Sequence, residues 1–102
     1  MKTLLIATMI LTGVSADMKE CDFRIEMGDI TNRTALRLYE EGHFVKALHK
    51  FKMARANYVM AFKHCINTDR EDELLNKSAA TSRMMNDKGL NAKSNFQKLI
   101  KG

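Results

Sequence analysis

The chain has 102 residues, seventeen basic against twelve acidic side chains, two cysteines and no proline. That length buries only a modest core, and domains of this size often rely on a staple. A mildly basic balance without aromatics interleaved among the lysines excludes a nucleic-acid binder and favours anionic lipid, cell-wall polymer or an acidic protein as partner.

The N-terminus reads as a secretory signal peptide over residues 1–16. Met1-Lys2 supplies the basic start, Leu4 to Leu11 the apolar stretch, and Gly13-Val14-Ser15-Ala16 the small residues before cleavage. The apolar run is about half of the roughly 20 residues that span a bilayer, so a transmembrane anchor is the weaker reading. Export leaves a single α-helical domain, residues 17–102, with sixteen basic and twelve acidic side chains, a net charge of +4. The expected location is periplasmic or secreted. Asn32-Arg33-Thr34 and Asn76-Lys77-Ser78 fit the N-glycosylation pattern, but the short leader is of bacterial kind, which makes both matches incidental and the Gram-negative periplasm the expected destination.

Apolar residues recur at helical spacing in three windows, from about Met18 to Glu41, from Phe44 to Ile66, and from Asp69 onward. The fold class expected is all-α, an antiparallel helical hairpin plus a third C-terminal helix. Along the first helix Cys21, Arg24, Gly28, Thr31, Ala35 and Leu38 form one stripe; along the second Ala47, Phe51, Ala54, Tyr58, Ala61 and Cys65 form another. Folded about Gly42-His43, the stripes meet level by level, Leu38 with Ala47, Ala35 with Phe51, Thr31 with Ala54, Gly28 with Tyr58, Arg24 with Ala61. Most levels set a large residue against a small one, as close packing requires. The last level joins Cys21 to Cys65, and an oxidising compartment makes that pair a disulfide.

The third segment opens with Thr68 and, three residues on, Glu71, the pattern of a capping box. Its expected seam is Leu75, Ser78, Ser82, Met85, Gly89, Ala92, Phe96 and Leu99, received by a second edge of helix two, Leu48, Val59, Phe62 and Ile66. A single helix of about 30 residues would span roughly 45 Å, longer than the hairpin beneath it, so Gly89 is the place for a kink or a break.

The stretch L-Y-x-x-G-x-F-x-x-A-L-x-x-F-x-x-A, carried by Leu38, Tyr39, Gly42, Phe44, Ala47, Leu48, Phe51 and Ala54, resembles the core of a tetratricopeptide (TPR) motif. In that family the Gly permits the tight turn, the aromatic plugs the hairpin base, and the alanines let the helices approach. The resemblance covers about a third of the chain. It departs where the family prefers a bulky aromatic and a Leu-Gly pair, since Thr31 and Thr34-Ala35 stand there, and Val59 replaces the closing Pro. It implies a protein-binding hairpin whose ligand lies along the first helix, at Asp29, Asn32, Leu36 and Tyr39. In the alternative, Leu36 and Tyr39 pack against the third helix.

Nothing in the sequence assembles a catalytic constellation, and the chain is expected not to be an enzyme and to need no cofactor. His43, His49 and His64 lie apart along the hairpin. His49 with Met53 and Met60 with His64 are i, i+4 pairs of a type that suits copper, but two ligands from one helix make an incomplete site, so no metal is expected. The sequence points to a non-catalytic, exported protein-interaction module of TPR-like type with a protein or peptide partner in the cell envelope. The alternatives are a self-assembling structural helical protein and an envelope or anionic-lipid-binding helical protein, with a homo-oligomer or a membrane surface in the partner's place.

Overall fold

The computed structural model describes the backbone of residues 2–101 and the side chains of residues 18–101; the signal peptide expected at residues 1–16 lies outside the fully described residues. Among the described residues there are four helices and no strand: α1 (Lys2–Glu40), α2 (Phe44–Cys65), α3 (Glu71–Asp87) and α4 (Leu90–Lys101). The fold is all-α, an antiparallel α1/α2 hairpin with the third segment divided in two.

The hairpin turns where the sequence places the turn. Gly42 has φ +83°, a conformation that costs a residue without Cβ nothing. It lets the His43 amide donate to Leu38 O at 2.9 Å and the Gly42 amide donate to Tyr39 O at 3.0 Å. These are the two bonds of a Schellman end, and they satisfy carbonyls that the helix leaves open.

All six residues of the expected α2 stripe, Ala47, Phe51, Ala54, Tyr58, Ala61 and Cys65, are its buried residues. Two levels of the register are visible directly. Cys21 and Cys65 form a disulfide, and a Cβ built on Gly28 would stand 2.7 Å from Cδ1 and 2.8 Å from Cζ of Tyr58. Position 28 therefore has no room for a side chain while the ring keeps its place. On α1 the stripe holds less fully: Cys21, Gly28 and Ala35 are buried, Thr31 and Leu38 are half-buried, and Ile25 is buried in place of Arg24. Arg24 instead pairs with Glu20, 3.8 Å away and one turn back. Ile25 lies on the side that α3 covers, and it joins Cys21, Tyr58, Ala61, Cys65 and Leu74 in one core cluster.

The second cluster, Ala35, Ala47, Phe51, Met85 and Leu90, fills the turn end, with Leu36, Leu38, Tyr39, Phe44 and Leu48 packed around it. In the third segment Met85 is buried as the expected seam requires, but the other seam residues are not. The segment's buried residues are Leu74, Thr81 and Met85 on α3 and Leu90 and Ser94 on α4, whereas Leu75, Phe96 and Leu99 are exposed. Of the expected receiving edge, Leu48 and Phe62 pack against the core clusters, while Val59 and Ile66 stay exposed. Two causes account for the error. Leu74 and Leu75 are neighbours, so either could lead the stripe, and Gly89, at φ +60°, ends α3 and resets the helical phase before α4.

The start of α3 also differs from a capping box. Arg70 occupies the N-cap without a side-chain capping bond. The Glu71 carboxylate does reach back, but it accepts from the Asn67 amide at 2.9 Å, while the Thr68 hydroxyl donates to Cys65 O. The turn is one residue longer than the motif assumes because Asn67 takes a left-handed φ of 63°, which asparagine tolerates better than most residues.

Candidate functional site

Helical geometry gives the hairpin two broad faces, since neighbours in a helix point about 100° apart. Asp29 follows the seam residue Gly28, and Arg55 follows Ala54. Both reach α3: Asp29 pairs with Lys77 at 2.8 Å and Arg55 donates to Ser82 Oγ at 3.3 Å. They mark the covered face. Met27 and Met53, which precede the same two seam residues, point the other way and are exposed.

On the covered face, near the disulfide, an ion network joins three helices. Asp29 accepts from the Tyr58 hydroxyl at 2.6 Å and from Lys77. Lys77 also pairs with Glu73 at 3.2 Å, and Arg70 bridges Glu73 at 2.8 Å and Asp22 at 2.6 Å. Burial, then the bond to Asp29, raises the Tyr58 phenol well above its ordinary range. The hydrogen bond from Arg70 holds Glu73 down to about 2, against the opposing effect of burial and with further help from Lys77. Burial would lower Lys77, but its bonds to Asp29 and Glu73 outweigh it and raise the ammonium. Each of these three displacements favours the form already present at neutral pH, as expected of groups that clamp helices together.

The four residues expected to face a partner lie on this side. Asp29 is engaged by Tyr58 and Lys77. Leu36 packs in the cluster of Met85 and Leu90. The Tyr39 ring lies 4.6 Å from Lys88 Nζ and 4.7 Å from Lys93 Nζ, and its hydroxyl accepts from Lys93. Asn32 is half-buried, with its Oδ1 shielded from solvent and without a partner among the described residues. Side chains of α3 and α4 thus contact Asp29, Leu36 and Tyr39, three of the four positions that the resemblance assigns to a ligand, while the two helices themselves pack mainly on α2. The sequence does contain the signal for this placement, in Lys77 and Lys93, but only once the third segment is known to fold back on this side.

Gln97 is a positioning residue that sequence reasoning did not find. Its Oε1 accepts from the amides of Phe44 at 2.8 Å and Val45 at 3.1 Å, and its Nε2 donates to Gly42 O at 2.8 Å. One amide therefore caps the N-terminus of α2, where His43 makes no side-chain capping bond, and ties α4 to the hairpin turn.

The opposite, uncovered face carries Phe23, Met27 and Ile30 from α1 and Met53 and Met60 from α2, all exposed. The pairs His49/Met53 and Met60/His64 stand on or beside it, and among the described residues no group of three or more His, Cys, Asp or Glu side chains could hold a metal ion. No described helix is long and apolar enough to cross a membrane. No protein-family model, curated protein or solved structure matches this chain.

Proposed function

We propose that this chain is a non-catalytic interaction module, an exported TPR-like helical hairpin that receives an apolar helix of a protein partner. The observation that carries the reading is the uncovered hairpin face, where Met27, Met53 and Met60 stand exposed beside Phe23 and Ile30. Methionine is flexible and polarisable, suited to a surface that must adapt to a partner helix. In TPR-like arrays each hairpin stacks on a neighbour, and here α3 and α4 fill one side only. The Gly42 turn and the buried Ala47 and Ala54 support the likeness, and the Cys21–Cys65 bond supports an oxidising compartment. Because Asp29, Leu36 and Tyr39 are engaged by α3 and α4, the proposed contact lies on the other face from the one the resemblance assigns.

A photoactivatable side chain placed in turn at Met27, Met53 and, as a control on α3, Asn76 tests this in cells of the source organism. The expected result is one heavier species of the same mass from Met27 and Met53 and none from Asn76. A species of twice the chain's mass would favour the self-assembling alternative. No adduct from either methionine would refute the reading.

A further inference from the structure

α4 presents a surface that neither the core nor the methionine face uses. Leu90 and Ser94 point into the molecule, and the Gln97 amide holds the helix against the turn. With that side fixed, Ala92, Phe96, Leu99 and Ile100 fall within an arc of about 100° directed away from it. The exposures are large: Phe96 65 %, Leu99 79 % and Ile100 69 %. Phe44 extends this arc into a groove of about 580 Å³ shared with Phe96 and Ile100.

Charge identifies the occupant. The last acidic residue in the sequence is Asp87; from Lys88 to Gly102 there are four lysines and no carboxylate side chain. Lys93 and Lys101 border the apolar groove, and Lys46 lies beside Lys98 and Lys101 across the α2 N-terminus. Glu40 and Glu41, at the hairpin turn, are outnumbered at this end. A short helix with an aromatic and aliphatic arc, flanked by lysines whose stems can bend toward phosphates, has the composition of an interfacial helix. We infer that α4 docks this protein on the surface of an anionic phospholipid bilayer, lying in its plane with Phe96, Leu99 and Ile100 at the level of the acyl-chain boundary and Lys98 and Lys101, which the Tyr39 contacts leave out, on the headgroup phosphates.

The chain contains no tryptophan, so Phe96→Trp places a single reporter on the arc, in the full chain with its disulfide formed. Vesicles of phosphatidylcholine alone and of phosphatidylcholine mixed equally with phosphatidylglycerol are the probes. The expected result is a blue-shifted indole and co-flotation with the mixed vesicles only, weakening as salt is raised. Lys98→Gln and Lys101→Gln should each lower the partition coefficient about fivefold. Leu99→Asp combined with Ile100→Asp should abolish the shift while circular dichroism is unchanged. The residues before Asp17 are common to all these variants, so differences among them report α4 alone. Met53→Lys should leave lipid binding intact even if it removes a protein partner, which separates this inference from the proposed function. Equal partition into both vesicles, no partition, or an indole already shielded in a lipid-free dimer would overturn it.

Discussion

The two ends of the hairpin are closed by different physics. At one end a covalent bond, Cys21–Cys65, is backed by the Asp22, Asp29, Arg70, Glu73 and Lys77 network. At the other, no side-chain hydrogen bond or ion pair joins α1 to α2 among the described residues; a Schellman turn, one borrowed amide from Gln97 and lysines over Tyr39 suffice. The distance from the turn explains the contrast. Near Gly42 the chain itself keeps the helices together, whereas some twenty residues away nothing but side chains can oppose their separation, and a small core supplies little.

The largest effect should come from the far end. Cys21→Ser with Cys65→Ser opens a loop of sequence separation 44, and the chain-entropy model puts the loss near 4 kcal/mol. Thermal or urea unfolding under non-reducing conditions measures it. A loss below about 1 kcal/mol would mean that the ion network already closes this end and that the two ends differ less than described.

At the turn end, Gln97→Ala leaves the Phe44 and Val45 amides without their acceptor, at a cost of about 1–2 kcal/mol. Hydrogen exchange should accelerate at those two amides and along α4 while the amides around Cys65 keep their protection. Uniform acceleration would show the ends to be one cooperative unit.

The smallest effect concerns Glu73, whose partly exposed side chain lets solvent screen its charge. Its folded value of about 2 lies below the ordinary 4.5, so its contribution is complete above pH 4.5 and is lost as pH falls through about 2. Glu73→Gln should melt lower than the parent at neutral pH, and the gap should close across that window. A gap independent of pH would remove the carboxylate's charge from the account of the disulfide end.

What could be read from the sequence follows the same division. The α2 stripe, the Gly42 turn and the cysteine pairing were legible because a one-glycine turn fixes the register of everything after it. Ile25 in place of Arg24 was not, since Arg24 and Ile25 lie to either side of the seam and only the position of α3 decides between them. The phase of α3 was ambiguous at Leu74-Leu75 and lost again at Gly89. Gln97 stands more than fifty residues from the amides it caps, beyond any local pattern. The placement of Asp29, Asn32, Leu36 and Tyr39 depended on a single fact that periodicity does not carry, namely which side of the hairpin the C-terminal helices cover.

The position of the disulfide also sets how this molecule would come apart under a protease. Both sulfurs belong to the hairpin, so the covalent ring encloses the turn and leaves α3 and α4 as a tail outside it. A cut at Gly42-His43 adds only the one water of hydrolysis: the two helices of the hairpin stay linked, and the pieces separate only after reduction. A cut in the Asn67-Thr68 connection severs the tail, and with it Gln97, Lys77 and the lysine-rich helix, while the ring survives intact. Proteolysis at the first place would yield a two-chain protein, and at the second a looped fragment stripped of its cap.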